Sequence, residues 1–227
     1  MYPVQVRPGY MPGNALEMAG QVIMRLPDNA EVSNEVWDEV IDCMQRRMQD
    51  KVPIVRVYAI RALARFANDI DNANIVDLYK EALSSEQNAE VRKMLVLSLP
   101  PSNATALDII ERTLDVNDSV RKSAYRVLAT KFPLQSLSIK LRTTILRRGL
   151  ADRVPAVTAE CVKMMKDAWL IKCCEADPIV LLKYLDVETN ESVGEAVMQE
   201  LLKAGMIHIK ESQSLRQFLV SENEANE

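Results

Sequence analysis

Apolar residues recur along this chain at steps of three and four positions, the spacing that predicts amphipathic α-helices. One such stripe consists of Val52, Val55, Ala59, Leu63 and Phe66. Short polar or proline-bearing turns separate this stripe from similar ones along the chain. Only 6 of the 227 residues are glycine, fewer than a strand-rich fold needs for its turns. The pattern therefore predicts an all-α fold.

Five seven-residue segments repeat one pattern, in which a carboxylate precedes a valine by five positions. They read DKVPIVR (50–56), EQNAEVR (86–92), DVNDSVR (115–121), DRVPAVT (152–158) and ETNESVG (188–194). The valines are 36, 29, 37 and 36 residues apart. Each segment is predicted to begin a helix. In the first, Pro53 suits the first turn of a helix, and Asp50 can accept hydrogen bonds from its free amides.

A second set of apolar stripes lies between these segments and predicts a partner helix for each. These partner helices span roughly Asn34–Gln49, Ala73–Ser84, Ala104–Leu114, Leu137–Gly149 and Pro178–Leu185. Since neither helix of a pair can bury its stripe alone, the pairs are expected to stack into an α-solenoid of about five helical hairpins. Helices over 15–26 and 206–220 extend the stack. We predict a solenoid over 14–220, a disordered N-terminal segment over 1–13 and a disordered acidic tail over 221–227.

Catalytic motifs are missing from the sequence. It contains no phosphate-binding glycine loop and no HExxH pair, and His208 is the single histidine. The cysteines have no CxxC spacing, which disfavours a zinc or redox site; they are Cys43, Cys161, Cys173 and Cys174. No run of 18 apolar residues is present. We therefore predict no catalytic residue, no metal, no cofactor and no membrane partner.

Charge is distributed unevenly along the chain. The net charge is -4, but residues 51–153 contain 17 basic and 11 acidic residues, and both ends are acidic. This asymmetry favours a polyanionic partner for the central part.

The pattern D-x-x-P-x-V-R-x-x-A resembles the second helix of HEAT repeats. Several stretches are also similar to the non-SMC condensin subunit family called chromosome-associated protein G, or condensin complex subunit 3. They are DKVPIVRVYAIRALARF (50–66), NAEVRKMLVLSL (88–99), RTLDVNDSVRKSAYRVLA (112–129), LRRGLADRVPAV (146–157) and LLKYLDVETN (181–190). The resemblance covers about Ala15 to Leu202. Members of that family are several times longer, so the chain resembles a fragment of one.

The resemblance implies a non-catalytic HEAT-repeat subunit that acts in mitotic chromosome condensation. Its implied partners are the condensin kleisin subunit, through it the SMC ATPase pair, and duplex DNA without sequence preference. The implied location is the nucleus and chromosome, with a cytoplasmic pool. Two alternatives remain at this point: a HEAT-repeat adaptor for a protein cargo that ignores DNA, and a truncated product that folds poorly.

Two sets of charged residues are candidates for a structural and a binding role. In HEAT-like stacks, the arginine after the motif valine generally pairs with the aspartate of the adjacent repeat. The predicted arginine ladder comprises Asp50, Arg56, Arg92, Asp115, Arg121 and Asp152. The other basic residues could form a track for DNA phosphates or simply a solvated helix face. The predicted DNA-binding residues are Lys51, Arg61, Arg65, Lys93, Lys122, Arg126, Arg147, Arg148 and Arg153. The spacing around Trp37 and Trp169 favours core packing over base stacking.

Overall fold

The computed structural model describes residues 18, 20–23, 25–27, 32–69 and 72–207. All regular secondary structure in these ranges is helical. Residues 18, 20–23 and 25 are helical, within the helix predicted over 15–26. The segments 1–13 and 221–227, His208 and most of the helix predicted over 206–220 lie outside the described residues.

Ten α-helices in the described ranges form five consecutive hairpins. The first helices are α1 (Asn34–Arg47), α3 (Asn74–Ser85), α5 (Asn103–Glu111), α7 (Ile139–Leu150) and α9 (Pro178–Leu185). The second helices are α2 (Pro53–Leu63), α4 (Ala89–Ser98), α6 (Asp118–Lys131), α8 (Pro155–Lys163) and α10 (Glu191–Lys203). The five hairpins predicted from the periodicity are therefore confirmed, and helix α9 has the predicted bounds.

Two predicted helices are less regular than expected. The helix predicted over 104–114 ends as an α-helix at Glu111 and continues as a 3₁₀ turn, Arg112–Leu114. Helix α8 passes into a π-helix, Met164–Ile171. The predicted apolar stripe of this hairpin nevertheless stays buried across the change, including Met164 and Trp169.

Each second helix starts where its motif predicts, for local reasons. Pro53 and Pro155 occupy the first turns of α2 and α8, where a missing N–H costs no hydrogen bond. Asn88 and Asn117 cap α4 and α6 by accepting bonds from backbone amides. Val52 differs from the prediction. It precedes α2 and is 49% exposed, because the helix begins one residue after it.

The motif valines form the centre of the core. All five are buried, and they are Val55, Val91, Val120, Val157 and Val193. Close packing surrounds them: a Cβ on Gly149 of α7 would lie 2.4 Å from the Cys161 Sγ of α8 and 2.7 Å from the Tyr125 hydroxyl. The Tyr125 hydroxyl itself donates to the Ile145 carbonyl.

Contacts divide the chain into two compact units, unit 1 over residues 1–105 and unit 2 over residues 106–227. In unit 1, α2 packs against both α1 and α4. In unit 2, α6 packs against α8, and α7 packs against α8 and α9. Within the described ranges, every helix is too short or too polar to cross a bilayer.

Candidate nucleic-acid interface

The turn before α2 is tied to the turn before α4 by one arginine. Arg56 donates from Nε and Nη2 to the two carboxylate oxygens of Glu86, both at 2.8 Å. Its Nη1 donates to the Asp50 carbonyl at 2.7 Å. Planar bidentate pairing of this kind fixes distance and orientation together. The side chain therefore links two successive hairpins of unit 1.

Unit 2 repeats the arrangement around Arg121. The guanidinium donates from Nε and Nη2 to Asp152 at 2.7 and 3.0 Å. Its Nη1 donates to the Asp115 carbonyl at 2.9 Å. The pair is more enclosed than its counterpart in unit 1, with side chains 6% and 8% exposed against 16% for Arg56 and 10% for Glu86.

The other members of the predicted ladder lie at the same turns. Arg92 donates to the Glu86 and Gln87 carbonyls at 3.2 and 2.7 Å. Asp115 is buried and accepts a bond from the Asn117 amide. Asp50 accepts from the Val52 amide at 2.9 Å and from the guanidinium of Arg47 at 3.3 Å. The motif carboxylates thus shape their own turns. Glu86 was missing from the predicted ladder, although it opens the second motif and could have been chosen on that basis.

Hydrogen bonds across the two ion pairs shift the pKa values of Glu86, Asp152 and Arg121. Burial alone would raise the pKa of Glu86, but hydrogen bonds from Arg56 and the Asn88 amide lower it below its ordinary value. Asp152 is shifted the same way: burial opposes the charge, and bonds from Arg121 and the Val154 amide lower its pKa. The hydrogen bond to Asp152 raises the pKa of Arg121. Both carboxylates are therefore held in the charged form.

The last two motifs replace the arginine. Thr158 takes the position in the fourth turn and donates to the Asp152 carbonyl at 3.2 Å. Gly194 takes it in the fifth, where an added Cβ would lie 2.8 Å from Cγ1 of Val187. Among the five motifs, the ladder position therefore carries a cation in the first three only.

Two of the predicted DNA-binding arginines make hydrogen bonds within the chain. Arg65 donates to the backbone carbonyls of Ile23 and Leu26. Arg148 donates to the Ile110 carbonyl at 3.1 Å and pairs with Glu111 at 3.2 Å. Both side chains are half-buried, and a role for them in DNA binding stays a prediction.

The remaining predicted residues separate into three locations. Lys51 and Arg153 are exposed in turns, at the position after the motif carboxylate. Arg147 is exposed on the first helix α7. The third location is the face of the second helices, which bears Arg61, Lys93, Lys122 and Arg126. Within each unit, the predicted residues therefore occupy more than one location.

The second-helix residues occupy two fixed positions of the repeat. Lys93 and Lys122 come two residues after their motif valines, and Arg61 and Arg126 come six residues after theirs. Positions two and six residues after the valine are four residues apart, so they lie on one face of the helix. We call these positions the basic face of each unit: Arg61 and Lys93 in unit 1, and Lys122, Arg126 and Lys163 in unit 2.

Lys163 was not predicted, yet it follows Val157 by six residues and is exposed on α8. Arg126 bonds to Glu160 at 3.1 Å while remaining 55% exposed, and Glu160 lies one helical turn before Lys163. Lys93 similarly pairs with Glu90 at 3.2 Å. In the fifth repeat the same positions hold Glu195 and Gln199. Lys163 could have been predicted from the sequence, because it occupies the same position of the repeat as Arg61 and Arg126.

Other chemistry is limited in the described part of the chain. No group of three or more His, Cys, Asp or Glu side chains there could hold a metal ion. The four cysteines are free thiols, and burial raises the pKa of Cys161 to about 12 and of Cys174 to about 11. Thiols with such pKa values are poor nucleophiles at neutral pH.

Comparison with known proteins agrees with this geometry. No protein-family model matches the chain. Condensin complex subunit 3 of Xenopus laevis is 33% identical over 192 residues, covering 84% of this chain and 18% of that protein. The Homo sapiens protein of the same name is 34% identical over 185 residues, covering 81% of this chain and 18% of that protein. The chain thus spans about a fifth of the length of these relatives.

A solved structure is similar in fold. In the crystal structure of the S. pombe condensin Cnd3-Cnd2 subcomplex, one chain superposes with a TM-score of 0.80 at 23% identity, covering 94% of this chain and 30% of that chain. This match confirms the all-α HEAT-repeat solenoid predicted from the sequence. The sequence matches show that the chain is homologous to a stretch of condensin complex subunit 3 that makes up about a fifth of that protein.

Proposed function

We propose that this chain is a non-catalytic HEAT-repeat segment that binds duplex DNA through the basic face of unit 2. The observation that supports this most is the repeat register: Arg126 and Lys163 lie at equivalent positions of two packed helices, and Lys122 lies one turn before Arg126. Cations at regular spacing along a surface neutralise backbone phosphates without contacting base edges. Binding is therefore expected to be independent of sequence.

The basic face of unit 1, Arg61 and Lys93, contributes in the same way. Lys51, Arg147 and Arg153 are exposed and add to the attraction at longer range. Arg65 and Arg148 are left out of the proposed interface, because each donates from Nη1 to backbone carbonyls.

The test compares two triple variants with the same change in charge. Lys122→Glu, Arg126→Glu and Lys163→Glu together are expected to weaken duplex binding at least tenfold. In the control, Lys140→Glu, Lys172→Glu and Lys183→Glu replace exposed lysines away from the basic face. Because the control matches the net charge, equal weakening in both variants would contradict a localised site.

Salt dependence gives a second measure. Each phosphate contact contributes about 0.9 to the slope of log affinity against log salt concentration. Removing three contacts should therefore reduce the slope by about 2 to 3, measured by fluorescence anisotropy. Two duplexes of unrelated sequence are expected to bind equally well.

The second part of the proposal is that the chain binds the condensin kleisin subunit and, through it, the SMC ATPase pair. The structural relative was crystallised as a subcomplex of Cnd3 with Cnd2, which supports a partnership with another condensin subunit. Pull-down of a recombinant kleisin segment tests it. If the chain bound DNA but did not bind kleisin, only the first part of the proposal would stand.

In the cell, this function places the chain in the nucleus and on mitotic chromosomes, with a cytoplasmic pool. ATP hydrolysis is assigned to the SMC partners, so the purified chain should show none. A protein-cargo adaptor would bind its cargo and leave DNA unshifted in a gel at moderate salt, which separates that alternative directly.

A further inference from the structure

A cleft of about 520 Å³ lies in unit 1 between the first helices α1 and α3. Gln45 of α1 lines one side together with Met48 and Gln49 of the turn after it, and Leu78 and Glu81 of α3 line the other. Clefts that hold specific ligands generally measure about 300 to 1,000 Å³. The cleft is therefore large enough to hold a specific ligand, and no basic-face residue lines it.

The cleft has a net negative charge. Arg56 and Glu86 line one end, but they neutralise each other through two bonds of 2.8 Å. Glu86 also accepts the Asn88 amide at 2.7 Å, so its oxygens are already well supplied with donors. Glu81 is exposed and is the one lining carboxylate outside this pair. A ligand with a positive charge would complement it.

The rest of the lining selects among positively charged groups. Met48, Leu78 and Ala82 offer apolar surface, which suits the hydrocarbon stem of a long basic side chain. Gln45 and Gln49 carry amide groups that can donate and accept. A guanidinium is weakly hydrated and has five donors in a plane, so it can engage one carboxylate and neighbouring amide oxygens together.

We propose that this cleft is a docking site for an arginine side chain on an extended segment of a partner protein. Glu81 binds the guanidinium, Met48 and Leu78 contact the methylene stem, and the glutamine amides bind backbone groups beside the arginine. A partner protein fits better than a free polyamine, because the polar groups include donors as well as acceptors. The site is independent of the proposed DNA interface, which has the opposite charge.

The experiment uses the full chain labelled with ¹⁵N and a synthetic peptide, acetyl-Ala-Ala-Arg-Ala-Ala-amide. A second peptide replaces arginine with citrulline, which keeps the shape and removes the charge. We expect the arginine peptide to shift the amide signals of Gln45, Leu78 and Glu81, with a dissociation constant at least tenfold below that of the citrulline peptide. Loss of one charge-assisted hydrogen bond has this size.

Two matched variants localise the effect. Glu81→Gln should weaken binding of the arginine peptide about tenfold, whereas Glu39→Gln, the same substitution at an exposed position of α1 that does not line the cleft, should leave it unchanged. Both positions are exposed, so the thermal melting of the variants should match that of the parent chain. Equal binding of the arginine and citrulline peptides would overturn the proposal, as would binding of spermine without binding of the peptide.

Discussion

In unit 2, the arginine ladder and the basic face each contain an arginine, but the first is buried and the second is exposed to solvent. Arg121 follows its motif valine directly and is 6% exposed against Asp152. Arg126 lies five residues later on the same helix and is 55% exposed. The first has every guanidinium nitrogen bonded to a carboxylate or a carbonyl. Position relative to the valine therefore determines whether an arginine holds hairpins together or remains available for a partner.

Arg121→Ala is the variant expected to lower stability most. Removing one member of a buried pair leaves Asp152 without its partner and the Asp115 carbonyl without a donor. We expect the free energy of unfolding to fall by about 3 kcal/mol, measured by urea unfolding followed by circular dichroism.

Arg126→Ala is the matched control on the same helix. Its pair with Glu160 is half open to solvent, so the loss in stability should stay below about 0.5 kcal/mol. If the two variants were equally destabilised, the distinction between ladder and basic face would be wrong.

Acid should weaken the ladder. Because the pKa values of Glu86 and Asp152 are lowered in the folded chain, their contribution is complete above their unfolded pKa values, which are about 4. It is lost as the pH falls through the lower, folded values. The stability difference between the parent chain and Arg121→Ala should therefore be constant from pH 7 to pH 5 and smaller at pH 3. A difference that grew on acidification would contradict this assignment.

The sequence predicted the repeat better than it predicted individual charged groups. The motif valines, the hairpin order and the carboxylate-arginine turns follow from local spacing, because helix periodicity and turn chemistry act over a few residues. The engagement of Arg65 depends on carbonyls about forty residues away in sequence, and no local pattern reports such a contact. The π-helix over Met164–Ile171 is likewise invisible to periodicity, because its stripe stays apolar throughout.

The ion pair of the ladder in unit 1, Arg56 with Glu86, is expected to contribute less to stability than the pair in unit 2. Arg56 and Glu86 are more exposed than Arg121 and Asp152, so water screens their attraction more. In the Arg56→Ala variant, water can also hydrogen-bond to the Glu86 carboxylate in place of the arginine. Arg56→Ala is expected to cost about 1 to 2 kcal/mol. A loss equal to that of Arg121→Ala would show that enclosure does not determine the strength of a pair. Urea unfolding at pH 7 provides the measurement for both.

The smallest expected effect comes from extending the ladder. Thr158 occupies the arginine position of the fourth motif, and Glu188 opens the fifth motif as Glu86 opens the second. Thr158→Arg should form a new pair with Glu188, but Glu188 is exposed, so the gain should remain below about 1 kcal/mol. The double variant Thr158→Arg, Glu188→Gln separates pairing from other effects of the arginine. If the gain survived in the double variant, the new side chain would be acting through contacts other than the pair, and the repeat register alone would not be sufficient to build a ladder.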